Sequence, residues 1–127
     1  MIILVTGATS GFGEAIARKF IQHNFTVIGT GRRTERLNAL HQELRDKFYP
    51  LTLDVQDRKA IQHAVANLPS HLKNIDLLVN NAGLALGLEP AFNANPDDWE
   101  TMINTNTKGL VNMTYEVLQG MVEKNHG

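Results

Sequence analysis

The chain has 127 residues, enough for one domain with a core of its own. A formal net charge of −1 leaves no basic field to argue for nucleic acid or an anionic membrane. There is no cysteine, which excludes disulfides, thiolate metal sites and a cysteine nucleophile, and the histidines at 23, 41, 63, 71 and 126 have no metal-ligand spacing.

Met1-Ile2-Ile3-Leu4-Val5 is apolar but lacks a positively charged leader, and Thr6-Gly7 ends the run far short of a membrane span. The chain is therefore read as cytoplasmic. Ile2–Thr6 is the first predicted strand, apolar on both faces as a strand covered by helices on both sides is. A helix follows from about Gly11 to His23, with Ala15, Ile16 and Phe20 facing inward. Thr26–Thr30 is the second strand. The second helix covers Thr34–Asp46, with Leu37, Leu40 and Leu44 at helical spacing. Tyr49–Leu53 is the third strand, and the third helix, Arg58–Asn67, carries the stripe Ile61, Val65 and Leu68. Asp76–Val79 is the fourth strand. Asn80–Asn95 reads as a loop.

A long helix then runs from Pro96 into the 120s. Asn95 is placed to cap it, Pro96 suits its first position, and Asp97 and Asp98 favour its positive end. Its expected apolar side holds Trp99, Met102, Ile103, Leu110, Met113, Val117 and Met121. Alternating short β-branched runs and helices define an α/β fold, a Rossmann-like doubly wound parallel sheet, over residues 1–127 as part of one domain. Right-handed crossovers give the strand order 3-2-1-4. Since a full fold of this kind has about six strands, the sheet is read as its truncated N-terminal part.

The strongest local signal is Thr6-Gly7-Ala8-Thr9-Ser10-Gly11-Phe12-Gly13, after a strand and opening a helix. Gly7 permits a tight turn, Gly11 lets backbone approach a pyrophosphate, and Gly13 lets the helix sit close to the sheet. Free N–H groups at the helix start favour phosphate, and Thr9 and Ser10 add hydroxyl donors. No Gly-Lys-Ser/Thr follows, so a P-loop kinase is excluded. The competing reading is a glycine-rich turn that binds nothing. The second strand ends Gly29-Thr30-Gly31-Arg32-Arg33, with no carboxylate to bond a ribose 2′-hydroxyl. Two guanidiniums there suit a 2′-phosphate by charge and fork geometry, which predicts NADP(H) as the cofactor.

Asn106 falls three after Ile103 and four after Met102, which puts it on the expected buried stripe, where an amide needs partners. Gly109 beside it lowers helix propensity and suggests close approach of another backbone. Either Asn106 is functional or it is a core amide bonding a neighbouring backbone. Asp54 and Asp57 are both placed to cap the third helix.

The Thr-Gly-x3-Gly-x-Gly turn, together with Asn80-Asn81-Ala82-Gly83 after the fourth strand, Asp54 after the third and Asn106 in the long helix, resembles the short-chain dehydrogenase/reductase family. These marks span the whole chain. The resemblance implies that Asp54 and Val55 lie beside the adenine, and that Asn81, with the backbone of Ala82 and Gly83, lies on the adenosine side. It also implies that Asn106 holds a water in a proton relay to a catalytic lysine. Within the family, residues 7–13, Thr30-Gly31-Arg32-Arg33, residues 80–87 and residues 98–103 resemble the bacterial NADP-dependent 3-hydroxy acid dehydrogenase group (also described as serine dehydrogenase or malonic semialdehyde reductase). The reaction implied is oxidoreduction at the CH–OH group of a small 3-hydroxy acid or its carbonyl form.

That chemistry needs a Ser on a fifth strand and a Tyr-x3-Lys on the helix after it. The two tyrosines are Tyr49, on the third strand, and Tyr115, with Gln119 in place of a lysine four residues on. The chain is thus expected to supply the dinucleotide-binding half and to be inactive alone. A non-enzymatic dinucleotide-binding module is the alternative, and a truncated product without function the third possibility. Helix 96–124 is expected to form a subunit interface of a homo-oligomer, as the resemblance implies.

Overall fold

A computed structural model describes residues 1–127. Four strands form one parallel sheet: β1 (Ile2–Val5), β2 (Thr26–Gly31), β3 (Phe48–Thr52) and β4 (Leu77–Val79). Their order is β3-β2-β1-β4, as the handedness rule required. The chain builds outward from β1 through β2 to β3, then returns to place β4 on the other side of β1. That reversal between β1 and β4 is a switch point, and its crevice opens at the carboxyl ends of the strands.

Strand β1 explains why both faces of the sheet are covered. Ile3, Leu4 and Val5 are all fully buried. Ile3 and Val5 point into one cluster with Ala8, Ala17, Val27, Leu37, Leu40 and Phe48, under α1 (Gly11–Gln22) and α2 (Thr34–Leu44). Leu4 points into the other with Ile28, Leu53, Val55, Ile61, Met113 and Val117, under α3 (Arg58–Ala66) and α5 (Gly109–Lys124). The two clusters fall on opposite faces because successive strand side chains alternate.

Four expectations are corrected. In α1 the inward small residue is Ala17, whereas Ala15 is exposed. The second helix ends at Leu44; Arg45, with a positive φ of 56°, turns the chain into β3. The long helix is not regular: α4 (Pro96–Met102) passes into a π-helical segment, Ile103–Lys108, before α5. Its apolar side also differs from the expectation: Met113 and Val117 are buried, but Trp99, Ile103 and Leu110 are exposed. The caps are as read: Asn95 accepts from the N–H of Asp97 at 3.0 Å, and Asp57, not Asp54, caps α3 through the N–H of Ala60 at 3.0 Å. No helix is long and apolar enough to cross a membrane.

Candidate functional site: a crevice at the carboxyl ends of the strands

A cavity of about 440 Å³ occupies the crevice. Each strand contributes residues that follow it: Gly7 and Thr9–Phe12 after β1, Arg32 and Arg33 after β2, Leu53–Gln56 after β3, and Asn81–Leu84 after β4. Of the cofactor residues expected from sequence, Gly7, Thr9, Ser10, Gly11, Phe12, Arg32, Arg33, Asp54, Val55, Asn81, Ala82 and Gly83 all line it. Gly13 does not. It sits behind the loop, where a Cβ would run into the Gly7 carbonyl and the Asn81 amide.

The loop after β1 takes its shape from two left-handed glycines. Gly7 has φ +67°, and a Cβ there would meet the Cα of Ala82 at 2.9 Å. Gly11 has φ +56° with nothing within 4 Å of a Cβ position, so the space in front of it is open. Ser10 is the N-cap of α1 but makes no side-chain cap bond. The first-turn N–H groups of α1 have no acceptor within the helix, and with the helix dipole they form an anion-receptive end. Arg33 stands over it: its Nη2 donates to Thr9 Oγ1 at 2.9 Å and Ser10 Oγ at 3.1 Å. Both hydroxyls accept from Arg33, which leaves their own protons to donate.

The two glycine-bearing motifs are stitched together. Thr6 Oγ1 accepts from the N–H groups of Asn81 (3.0 Å) and Ala82 (2.9 Å). The side-chain amide of Asn81 donates to the carbonyls of Thr6 (3.0 Å) and Gly7 (3.1 Å). Asn81 therefore spends its N–H donors on the phosphate loop, and only its oxygen is left for a ligand. Thr6 was missed from the sequence, although a hydroxyl on the last buried residue before the first glycine was a visible signal.

Asp54 Oδ1 accepts from the N–H of Gln56 at 3.0 Å, which shapes the turn beside the cavity. Gly109 is approached closely, but first by a side chain and not by the backbone expected: a Cβ there would meet Val55 Cγ2 at 2.6 Å and the Val55 carbonyl only at 3.4 Å. The buried Asn112 donates to the Val55 carbonyl at 3.4 Å. Helix α5 thereby positions the Asp54-Val55 turn.

Asn106 is exposed, which corrects the buried placement. Its Oδ1 accepts from the N–H of Leu84 and its Nδ2 donates to the Leu84 carbonyl, both at 2.8 Å. The amide clamps the loop after β4 as a strand partner would. Thr105 takes the buried position instead and lines the cavity. The cavity also includes Thr30, Gly31, Leu53, Gln56 and Leu84, none of which sequence reasoning singled out as a cofactor contact. Two buried hydroxyls in its wall, Thr30 Oγ1 and Thr105 Oγ1, have no partner in the protein. Tyr115 lies under the Arg58 guanidinium, 5.1 Å from the ring centroid.

A parallel half-sheet with a glycine loop at its switch point, an uncapped helix end and paired arginines after β2 defines a dinucleotide-binding α/β protein. The family model described as short chain dehydrogenase matches residues 1–127, and the chain belongs to that family. It is similar to the NADP-dependent 3-hydroxy acid dehydrogenase YdfG of Escherichia coli (strain K12), 63% identical over 127 residues, which are 100% of this chain and 51% of that protein. It is 50% identical over 122 residues to the serine 3-dehydrogenase of Rhizobium radiobacter, covering 96% of this chain and 49% of the relative. A solved structure, the closed form of serine dehydrogenase complexed with NADP+, superposes with a TM-score of 0.98 at 63% identity, over 100% of this chain and 51% of the other. The chain thus spans about half the length of the curated relatives it matches.

Proposed function

We propose that the chain binds NADP(H) in the crevice and supplies the cofactor-binding share of an NADP-dependent dehydrogenase acting on the CH–OH group of a small 3-hydroxy acid. The observation that carries this reading is the cation pair after β2. Arg32 and Arg33 line the cavity, Arg33 already bridges to the phosphate loop, and no carboxylate stands at that strand end. The site fits the cofactor on independent grounds: open space before Gly11, an uncapped α1, and unpartnered hydroxyls of Thr30 and Thr105 in the wall. Arg32 and Arg33 would hold the 2′-phosphate, the α1 end the pyrophosphate, and Asp54 and Val55 the adenine. When bound, the cofactor supplies or accepts the hydride. The relatives' printed activities support the substrate class.

Asn106, clamped to the cavity-lining Leu84, carries in this proposal the water-holding role in the proton relay that the family resemblance implies. With no Ser and Tyr-x3-Lys set in these residues, the chain alone is expected to bind cofactor without turning over malonic semialdehyde. Self-association through residues 96–124 is part of the proposal. Val111, Tyr115, Leu118 and Val122 expose apolar surface along that helix, and such patches mark contact sites. Light scattering should give a dimer or tetramer, and a strict monomer would count against it.

The test of the cofactor reading is a pair of titrations, NADPH and NADH, on the unaltered chain and on Arg32→Asp with Arg33→Ala. Loss of the charge-assisted bonds should weaken NADPH about fiftyfold and NADH far less. Equal loss for both cofactors, or no NADPH binding by the unaltered chain, overturns the assignment.

A further inference from the structure

The phosphate loop is held from outside the cavity by a cation that sequence motifs do not mark. Arg36, in the first turns of α2, donates to the main-chain carbonyl of Thr9 from Nε at 3.1 Å and from Nη2 at 2.8 Å. Both arms of one planar fork thus chelate a single oxygen, a geometry that an ammonium cannot reproduce. Arg36 is itself steadied by Glu14 in α1, with Nη2 3.6 Å from Oε2. The other oxygen of Glu14 accepts from Arg18 Nε at 3.0 Å and Nη2 at 2.9 Å, and Arg18 reaches on to Glu43 at the far end of α2. Hydrogen bonds that Arg18 donates to Glu43 and then to Glu14 hold its guanidinium pKa above its ordinary value. Arg36 does not line the cavity, so it does not stand where a cofactor would touch it.

What Arg36 fixes is a peptide plane. In a planar trans peptide the carbonyl of one residue and the N–H of the next point in opposite directions. Chelating the Thr9 carbonyl therefore sets the direction of the Ser10 N–H, at the N-cap where α1 gathers its free donors. Arg33 holds the same residue by its hydroxyl. Thr9 is thus gripped at side chain and main chain by two arginines one helical turn apart, with different tasks.

We infer that Arg36, braced by Glu14, is a positioning residue that sets the phosphate-binding loop in its anion-receptive shape before any ligand arrives. The inference rests on the cofactor site proposed above. It differs from a field effect of one more cation near a phosphate, and Glu14 separates the two. Removing Glu14 makes the region more positive, so a field effect predicts tighter cofactor binding. Loss of the brace predicts weaker binding.

The experiment compares the unaltered chain with Arg36→Gln, Arg36→Lys and Glu14→Ala. NADPH and NADH titrations are run beside amide hydrogen exchange without cofactor. Arg36→Gln should weaken both cofactors about tenfold, the order expected for hydrogen bonds from a charged donor, and leave their ratio unchanged within about twofold. Arg36→Lys keeps the charge but loses the fork, and should recover less than half of that loss. Glu14→Ala should weaken both about threefold, as loss of a partly exposed ion pair would. Exchange at the hydrogen-bonded Ala8 amide should quicken in Arg36→Gln and Glu14→Ala, and at the Glu14 amide in Arg36→Gln, while protection in α3 and α5, which reports the intact fold, stays as it was. Tighter binding by Glu14→Ala, loss confined to NADPH in Arg36→Gln, or unchanged exchange in the loop overturns the inference. If the unaltered chain binds neither cofactor, the cofactor reading fails, and the exchange arm still decides whether Arg36 sets the loop.

Discussion

The two sides of β1 are finished differently. On the β2–β3 side the outer strand carries Pro50, which offers no N–H to an incoming strand, and α1 and α2 are tied across their surface by Arg18, Glu14, Glu43 and Arg36. On the β4 side the outer strand is Leu77-Leu78-Val79, with neither proline nor charge, and Leu77 is 38% exposed. The neighbouring helix α5 shows Leu118 and Val122 to solvent. One side is closed to further pairing and holds the phosphate loop in shape. The other is an unpaired edge beside exposed apolar side chains of a helix, the kind of surface that proteins otherwise keep covered. The arginines that grip the phosphate loop are thus concentrated on the closed side, and the exposed apolar surface on the open one.

The largest blow to the closed side comes from Gly13→Ala. The added methyl would meet the Gly7 carbonyl and the Asn81 amide, both part of the seam between the two motifs. Alanine favours a helix by about 1 kcal/mol over glycine, but pushing α1 off the loop should cost about 3 kcal/mol. The urea midpoint should fall and cofactor binding should be lost with it. An unchanged midpoint would show that α1 rides on the sheet more loosely than its contacts imply.

Thr6→Val is the next step down, and it acts on the seam itself. Thr6 is buried, and its hydroxyl accepts two backbone N–H groups from the loop after β4. Valine keeps the shape but strands the Ala82 N–H and leaves the Asn81 N–H only the Val79 carbonyl, at about 2 kcal/mol. Amide exchange should rise at Asn81 and Ala82 while α2 and β3 keep their protection. If protection falls everywhere together, the two sides are one cooperative unit and the contrast between them is one of surface only.

Most of this arrangement was legible in the sequence, and where it was not the reason is geometrical. Strand order followed from handedness, and the crevice residues followed from the rule that each strand hands its successor residues to the switch point. Gly7, Gly11, Arg32 and Arg33 were readable because their chemistry is local to one turn, whereas Asp54 and Val55 were named only through the family resemblance. Asn106 was misplaced because a constant helical period was carried across residues 103–108. A π segment bonds i to i+5, so each residue after it is rotated relative to a regular helix. Thr105 moves inward and Asn106 outward, and no propensity marks that insertion. Arg36 escaped notice for another reason: its partner is a main-chain carbonyl 27 residues away, and backbone leaves no signature in a sequence.

The smallest effect tests the opposite end of the sheet, where the two sides are joined away from the crevice. Asp76, just before β4, accepts from the N–H of Ile2 at 2.7 Å, and His126 Nε2 lies 3.2 Å from its other oxygen. The Ile2 bond holds the Asp76 carboxyl below its ordinary value of 3.8 against the opposing effect of burial, with lesser help from the charges of Lys124, the N-terminus and His126. A carboxyl whose value is lowered on folding stabilises the fold fully above its unfolded value and loses that contribution as the pH falls through the folded one. Urea midpoints for the unaltered chain and Asp76→Asn should therefore differ at neutral pH and converge as the pH drops below about 4. The asparagine variant keeps an oxygen for Ile2, so the gap measures the charge and not the bond. A gap that persists unchanged at low pH would mean that Asp76 joins β1 to β4 by shape alone.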